Sequence, residues 1–180
     1  MSPLNLSLFA GHSTGDGPGT RAVIWVSGCE KRCPGCATYY LWNMGRKQIS
    51  VEKIASKIFA QSGIEGITLC GGEPFLQAVP LAELANLCHM NGLSVVTFTG
   101  FTLAELEFIP DSDKLLKQTD LLIDGPYRQK FPETQRHWVG SKNQIFHFLT
   151  GWYIPGIEYP QKGEDIIRPQ NNFRALFERL

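Results

Sequence analysis

Three cysteines, Cys29, Cys33 and Cys36, stand on one short loop with the spacing C-x3-C-x2-C. The loop follows a near-continuous apolar run, Ala22 to Ser27, rich in β-branched and aromatic residues. Such a run reads as a strand buried on both faces, as in parallel sheets. The loop therefore lies at the C-terminal end of a central strand, the edge where open α/β sheets place their sites. Three thiolates this close together grip a metal centre from one side and leave one coordination position without a ligand from the loop. A structural zinc site is closed by four protein ligands, and iron–sulfur clusters are commonly held by four thiolates. The pattern predicts an iron left open for a substrate or cofactor. Five cysteines, an odd number with three in one loop, do not make a secreted disulfide framework.

The rest of the chain reads as strands alternating with helices. Leu4, Leu6 and Leu8 alternate, which predicts a short strand at a sheet edge. Asp16 to Arg21 is a Gly/Pro turn where backbone can lie close to a ligand. Residues 37–49 form an aromatic loop, with Tyr39, Tyr40 and Trp42 expected in the core. Ser50 reads as a helix N-cap before Val51, Ile54, Ala55 and Ile58 at helical spacing, with Gly63 and Gly66 ending that helix. Ile67 to Cys70 is a strand running into the bend Gly71-Gly72-Glu73-Pro74. Pro80 reads as the first residue of a helix that turns Leu81, Leu84 and Cys88 inward and stops at Gly92. Leu93 to Phe98 and Asp120 to Ile123 are further parallel strands, separated by short helices at Leu103–Phe108 and Asp113–Gln118. Ile145 to Leu149 is a last strand, residues 151–170 a loop-like wrap, and Asn172–Leu180 a short terminal helix.

This alternation predicts an α/β fold of βαβ units around a parallel sheet. A full eight-unit barrel takes about 250 residues, so a chain of 180 residues is expected to form a partial, open (β/α) barrel. One domain spanning 1–180 is expected, with a core of about 12–149 and a C-terminal extension of about 150–180. Lysine plus arginine equals aspartate plus glutamate, 17 each, which argues against non-specific nucleic-acid binding. The N-terminus lacks a charged n-region, and no apolar run reaches the roughly 18 residues that span a bilayer. A soluble, cytoplasmic protein without membrane contact is the expectation. His12, His89, His137 and His147 show no metal-ligand spacing and read as structural or surface residues, and no P-loop or nucleophile-elbow sequence is present.

Five separated blocks carry a resemblance: DGPGTRAVIWVSGC…CPGC, GGEP, FTGF (Phe98–Phe101), IDGPY (Ile123–Tyr127) and WVGSKNQ (Trp138–Gln144). In this order they resemble the radical S-adenosylmethionine (SAM) superfamily. Within it they are similar to the glycyl-radical-enzyme activating proteins of the anaerobic ribonucleotide reductase type, over roughly residues 12–149. The resemblance implies that Cys29, Cys33 and Cys36 ligate three irons of a [4Fe–4S] cluster whose fourth iron binds SAM. It implies one-electron cleavage of SAM to methionine and a 5′-deoxyadenosyl radical, which takes a hydrogen atom from a glycine of a partner glycyl-radical enzyme. A flavodoxin or ferredoxin is the implied kind of electron donor. Gly71, Gly72, Glu73 and Pro74 are the implied cofactor-binding bend: the glycines let backbone approach the methionine amino group, and Glu73 accepts from that ammonium or fixes the turn. Thr97, Thr99 and Asp124 are candidates for ribose, carboxylate or cation contacts, and Asp16 for a contact with the incoming substrate.

The chain departs from the family pattern at several points. Cys70 stands where relatives often carry serine, Gly35 where many members pack a large apolar residue on adenine, and Ala37-Thr38-Tyr39 lacks an asparagine common there. Two other readings compete: a small radical SAM enzyme acting on a small molecule such as a deazapurine precursor, and a non-catalytic zinc or iron–sulfur module. The last requires a fourth ligand, with Cys70 or His12 the candidates.

Overall fold

The computed structural model describes residues 3–45 and 47–164. Its strands are β1 (Leu4–Ser13), β2 (Arg21–Val26), β3 (Gln48–Ile49), β4 (Gly66–Gly71), β5 (Ser94–Phe98), β6 (Leu121–Asp124) and β7 (Ile145–Phe148). Its helices are α1 (Val51–Phe59), α2 (Ala78–Met90), α3 (Leu103–Leu106) and α4 (Ser112–Leu116). The strands form one seven-stranded sheet in the order β3-β1-β2-β4-β5-β6-β7. β2, β4, β5 and β6 run parallel to one another, as the alternation predicts. β1, β3 and β7 pair antiparallel. The β1–β2 connection is too short to carry a crossover, which takes a dozen residues or more, so the two strands form a hairpin.

Both faces of the sheet are covered, which is why β2 is apolar from Ala22 to Val26. On one face Ala22, Ile24, Val26, Ile67, Leu69, Val95 and Leu122 pack against Val51, Ile54, Ala55 and Ile58 of α1 and Leu81, Leu84 and Cys88 of α2. On the other, Val23 and Trp25 pack with Leu8 and Leu41, and Val96, Leu121 and Ile123 pack with Trp138, Val139, Phe146, Tyr153 and Ile157. Tyr153 and Ile157 of the wrap after β7 thus pack against the core. Arg21 fixes the wrap at the N-terminal edge of the sheet. Its buried guanidinium donates to Tyr153 Oη at 2.6 Å, Ile67 O at 2.6 Å, Thr68 Oγ1 at 2.9 Å, Pro18 O at 3.0 Å, and Ser94 Oγ and O at 3.1 Å.

Several local expectations are corrected. β1 is not simply an edge strand: Leu4 and Asn5 pair with Ile49 and Gln48 of β3, which lies outside it. The aromatic loop 37–49 therefore contains a strand, and it also contains a 3-10 turn over Tyr39–Leu41. That turn buries only Leu41, leaving Tyr39 at 54% exposure rather than in the core. Ser50 caps α1, its Oγ accepting from Lys53 N, but the helix ends at Ala60, ahead of Gly63, and Gly66 already belongs to β4. Pro80 is the third residue of α2, because a 3-10 turn over Pro74–Gln77 leads straight into that helix. A proline is tolerated anywhere in a first turn, where backbone N–H groups have no helical acceptor. The expected terminal helix Asn172–Leu180 lies outside the described residues.

Candidate metal centre

Parallel strands bring the C-terminal ends of β2, β4, β5 and β6 to one edge, and the cysteine loop follows β2 there. Its backbone is held from two sides. Gly28 N and Cys29 N donate to Leu41 O and Trp42 O at 2.8 and 2.9 Å, which ties the loop to the aromatic turn. Gly72 N donates to Val26 O, and Glu73 N to Gly28 O, both at 2.7 Å. The double-glycine bend and the cysteine loop are therefore one backbone unit. Only glycine fits this contact: a Cβ on Gly72 would lie 2.3 Å from Gly28 O, and one on Gly71 2.6 Å from Val26 N.

Within the loop, Cys36 N donates to Cys33 O at 3.1 Å, closing the C-x2-C turn around the left-handed Gly35. All three thiols are half-buried. Burial pushes the Cys29 thiol up, opposed by the backbone amides of Lys31 and Arg32. Burial likewise raises Cys33, opposed by the backbone amide of Tyr127, just beyond β6. Lys31 pairs with Glu105 at 3.0 Å and lies 4.9 Å over the Phe101 ring, joining the loop to α3. Among the described residues no group of three or more His, Cys, Asp or Glu side chains converges on a single-ion position. The loop thus offers three separate thiols with a cation beside them, a donor set that fits an iron–sulfur cluster.

The other candidate residues divide. Glu73 is fully buried and fixes the bend: Oε1 accepts from Thr99 Oγ1 at 2.8 Å and Phe75 N at 3.1 Å, and Oε2 accepts from Gly100 N at 2.8 Å. Burial outweighs these bonds and raises its pKa to about 7. Pro74 opens the 3-10 turn that Glu73 caps. Thr99 joins the group as Glu73's partner and also accepts from Phe101 N at 3.1 Å. Asp124 ends β6, and its Oδ2 accepts from Leu103 N of α3 at 2.5 Å. His147 Nε2 lies 3.1 Å from that oxygen, outside hydrogen-bonding geometry, and Oδ1 has no partner among the described residues. Asp16 lies below the edge, where its backbone O accepts from Thr68 Oγ1 at 2.6 Å and its Oδ2 from Ser13 Oγ at 2.6 Å. Burial raises its pKa, the Ser13 bond lowering it in part.

Thr97 does not join the site. It is fully buried in β5, and its hydroxyl is shared with Thr119 at 2.9 Å. Thr97 and Thr99, two apart, fall on the same side of the pleat, but Thr97 lies inside β5 while Thr99 stands just past its end, beside the bend. His12 Nε2 is bound to Ser62 O at 2.8 Å, at the end of β1 remote from the cysteine loop. Cys70 pairs with Trp25 across the sheet, and burial together with the charge of Asp16 holds its thiol well above the ordinary range.

Two site neighbours escaped sequence reasoning. Buried Gln77 donates to Ser27 O at 3.0 Å and accepts from Asn5 N at 2.7 Å, bracing the root of the loop. Thr38 donates to Gly71 O at 3.1 Å. A polar residue three positions beyond Pro74 and a hydroxyl two beyond Cys36 were the available signals. A surface groove of about 690 Å³ lined by Leu103, Phe108, Asp111 and Leu116 contains none of the candidate residues.

Residues 15–147 match the family model described as a 4Fe-4S single cluster domain. The chain belongs to the radical SAM activating-enzyme family. It is 32% identical to the anaerobic ribonucleoside-triphosphate reductase-activating protein of Vibrio cholerae, over 75% of this chain and 92% of that one. It is 33% identical to the protein of that name from Enterobacteria phage T4, over 72% and 84%. It is also 33% identical to the pyruvate formate-lyase-activating enzyme of Listeria monocytogenes, over 61% of this chain and 48% of that one. Membership makes the chain an oxidoreductase-type enzyme built on a 4Fe-4S domain.

Proposed function

We propose that this enzyme holds a [4Fe–4S] cluster on Cys29, Cys33 and Cys36, cleaves SAM reductively, and takes a hydrogen atom from a glycine of a partner glycyl-radical enzyme. The observation that carries the reading is the shared backbone of the cysteine loop and the double-glycine bend, joined by Glu73 N to Gly28 O at 2.7 Å. It puts a three-thiol donor set and a crowded glycine backbone side by side. When bound, the reduced cluster and SAM supply one-electron cleavage of the sulfonium C–S bond and a 5′-deoxyadenosyl radical.

The protein's own part is to orient and enclose. Gly71 and Gly72 let backbone approach the methionine amino group, and Gly71 O lies beside the loop, where it accepts from Thr38 Oγ1 at 3.1 Å. Glu73 works indirectly, holding the β4 and β5 ends together through Thr99 and Gly100. Asp124 retains an unpartnered Oδ1 for a ribose hydroxyl or a cation. Asp16, held below the edge by Thr68 and Ser13, is the candidate for a contact with the incoming glycine segment. The sheet, extended by the wrap, is read as the partial open barrel of the radical SAM core. A ribonucleotide reductase of the anaerobic type is the proposed partner, since the Vibrio cholerae protein named for activating such a reductase is covered over 92% of its length. A flavodoxin or ferredoxin is the proposed donor, in the cytoplasm; no helix among the described residues is long and apolar enough to cross a membrane.

The test is anaerobic. Protein reconstituted with iron and sulfide is reduced with dithionite and given SAM, and 5′-deoxyadenosine and methionine are quantified. Equal amounts of the two products are expected, and their absence refutes the reading. Adding the partner reductase is expected to give a persistent carbon-centred doublet by electron paramagnetic resonance.

A further inference from the structure

Thr38 stands two residues beyond Cys36, half-buried at the start of the turn Tyr39–Leu41, where its side chain caps no backbone N–H. Its hydroxyl lies instead between two groups of the site. Oγ1 donates to Gly71 O at 3.1 Å and lies 3.5 Å from Cys36 Sγ. A hydroxyl has one proton to give and two lone pairs with which to accept. With Cys36 as a thiol both contacts are satisfied: S–H donates to Thr38, and Thr38 donates to Gly71. A sulfur ligating a metal is a thiolate and only accepts. The contact with Cys36 then survives only when Thr38 turns its proton to sulfur. A hydrogen bond to an ionised acceptor is roughly twice as strong as one to a neutral acceptor, so the turn is favourable even from a slightly longer distance.

We propose that Thr38 is a positioning residue that couples ligation of a cluster at Cys36 to release of the Gly71 carbonyl as a free acceptor. Once the proton has moved to Sγ, Gly71 O is open to the ammonium group of the incoming cofactor. With the proton on Sγ, both lone pairs of Gly71 O face the ammonium group instead of one. The Gly71 half of this rests on the proposed function; the hydrogen bond to Cys36 rests on the two distances alone. A second consequence is electronic, because hydrogen bonds to cluster sulfurs help to set the reduction potential. An added donor on Sγ stabilises the reduced, more negative cluster.

The experiment uses wild type, Thr38→Val, which keeps the shape and removes the hydroxyl, and Thr38→Ser, which restores it. Each is reconstituted anaerobically, and loading is read as iron and sulfide content. The cluster midpoint potential is then measured by redox titration without SAM, and SAM binding by its perturbation of the reduced-cluster spectrum. T38V is expected to load fully, to titrate at a more negative potential than wild type, and to bind SAM no less tightly. T38S is expected to return to the wild-type potential. Equal potentials in all three overturn the proposal; if T38V then binds SAM more tightly, Thr38 keeps its proton on Gly71. If T38V loads poorly, Thr38→Ala is read in its place against T38S on the same criterion. A wild type that holds the cluster but does not cleave SAM removes the proposed function, and the potential shift still decides the role of Thr38. A wild type that takes up no cluster overturns both.

Discussion

Gly72→Ala tests whether the cysteine loop and the double-glycine bend are one unit. The added Cβ would sit 2.3 Å from Gly28 O, where ordinary contact begins at 3.4 Å, and the obstacle is backbone. One of the two segments must retreat by about 1 Å, since side-chain adjustment cannot relieve a backbone clash. Glu73 N reaches the same oxygen at 2.7 Å, so a retreat of that size takes the bond beyond hydrogen-bonding range. Overpacking costs about 1–3 kcal/mol, and a buried amide left without an acceptor about 1–3 kcal/mol more. The expected loss is about 3 kcal/mol, a fall of about 10 °C in Tm for a chain of this size. The assay is thermal and urea unfolding of the metal-free protein, followed by iron loading on reconstitution. Gly92→Ala serves as a control: it has a left-handed φ of +72° and nothing within 4 Å, so it reports backbone strain alone, about 1 kcal/mol. Gly151→Ala, with open space and no such φ, is expected to be neutral. A G72A protein within about 1 kcal/mol of wild type that still loads iron fully would show that the two segments are not coupled, and the site as described would fall.

Three further outcomes are expected. Glu73, raised to about 7 when folded from an ordinary 4.5, binds more protons in the folded than in the unfolded state between those values. Stability of the metal-free protein therefore falls as pH rises through that window, by at most about 3 kcal/mol, and Glu73→Gln is expected to abolish the slope in pH-dependent urea melts. Arg21→Met leaves the acceptors of Pro18, Ile67, Thr68, Ser94 and Tyr153 without their shared donor. A loss of about 3–5 kcal/mol follows; a loss below about 1 kcal/mol in urea melts would show that the guanidinium does not hold the wrap. Cys36→Ala is expected to lose iron on reconstitution and Cys70→Ala to keep it, since Cys70 packs against Trp25 rather than in the loop; equal iron loss in both would make Cys70 a ligand.

What could be read from the sequence follows from where local chemistry decides. The C-x3-C-x2-C spacing and the apolar run before it placed the loop at a strand end, because a strand buried on both faces leaves few alternatives. Ser50 announced α1 for the same kind of reason: its hydroxyl meets the Lys53 amide within one turn. The failures lie where partners are distant in sequence. β3 consists of Gln48 and Ile49, too short to show a period, and exists only because Leu4 and Asn5 pass beside it. Thr97 and Thr99 look equivalent as polar residues at a strand end, yet two positions along the chain separate a hydroxyl shared with Thr119 from one that reaches Glu73.

The same distinction explains how Glu73 came to its role. A carboxylate beside two glycines at a strand end reads as a ligand for an ammonium group, and sequence leaves both that and a turn-fixing role open. In the fold its oxygens accept from Phe75, Thr99 and Gly100, and its burial raises its pKa to about 7. A group so enclosed cannot also reach outward without breaking bonds that hold β4 to β5. On the proposed function the acceptor left for an incoming amine is backbone, and a Cβ on either of the glycines that admit it would lie under 3 Å from backbone atoms of β2 or the cysteine loop. On both proposals, side-chain chemistry around this site shapes and times access to main-chain atoms, so the decisive substitutions are a glycine that gains a methyl group and a threonine that loses a hydroxyl.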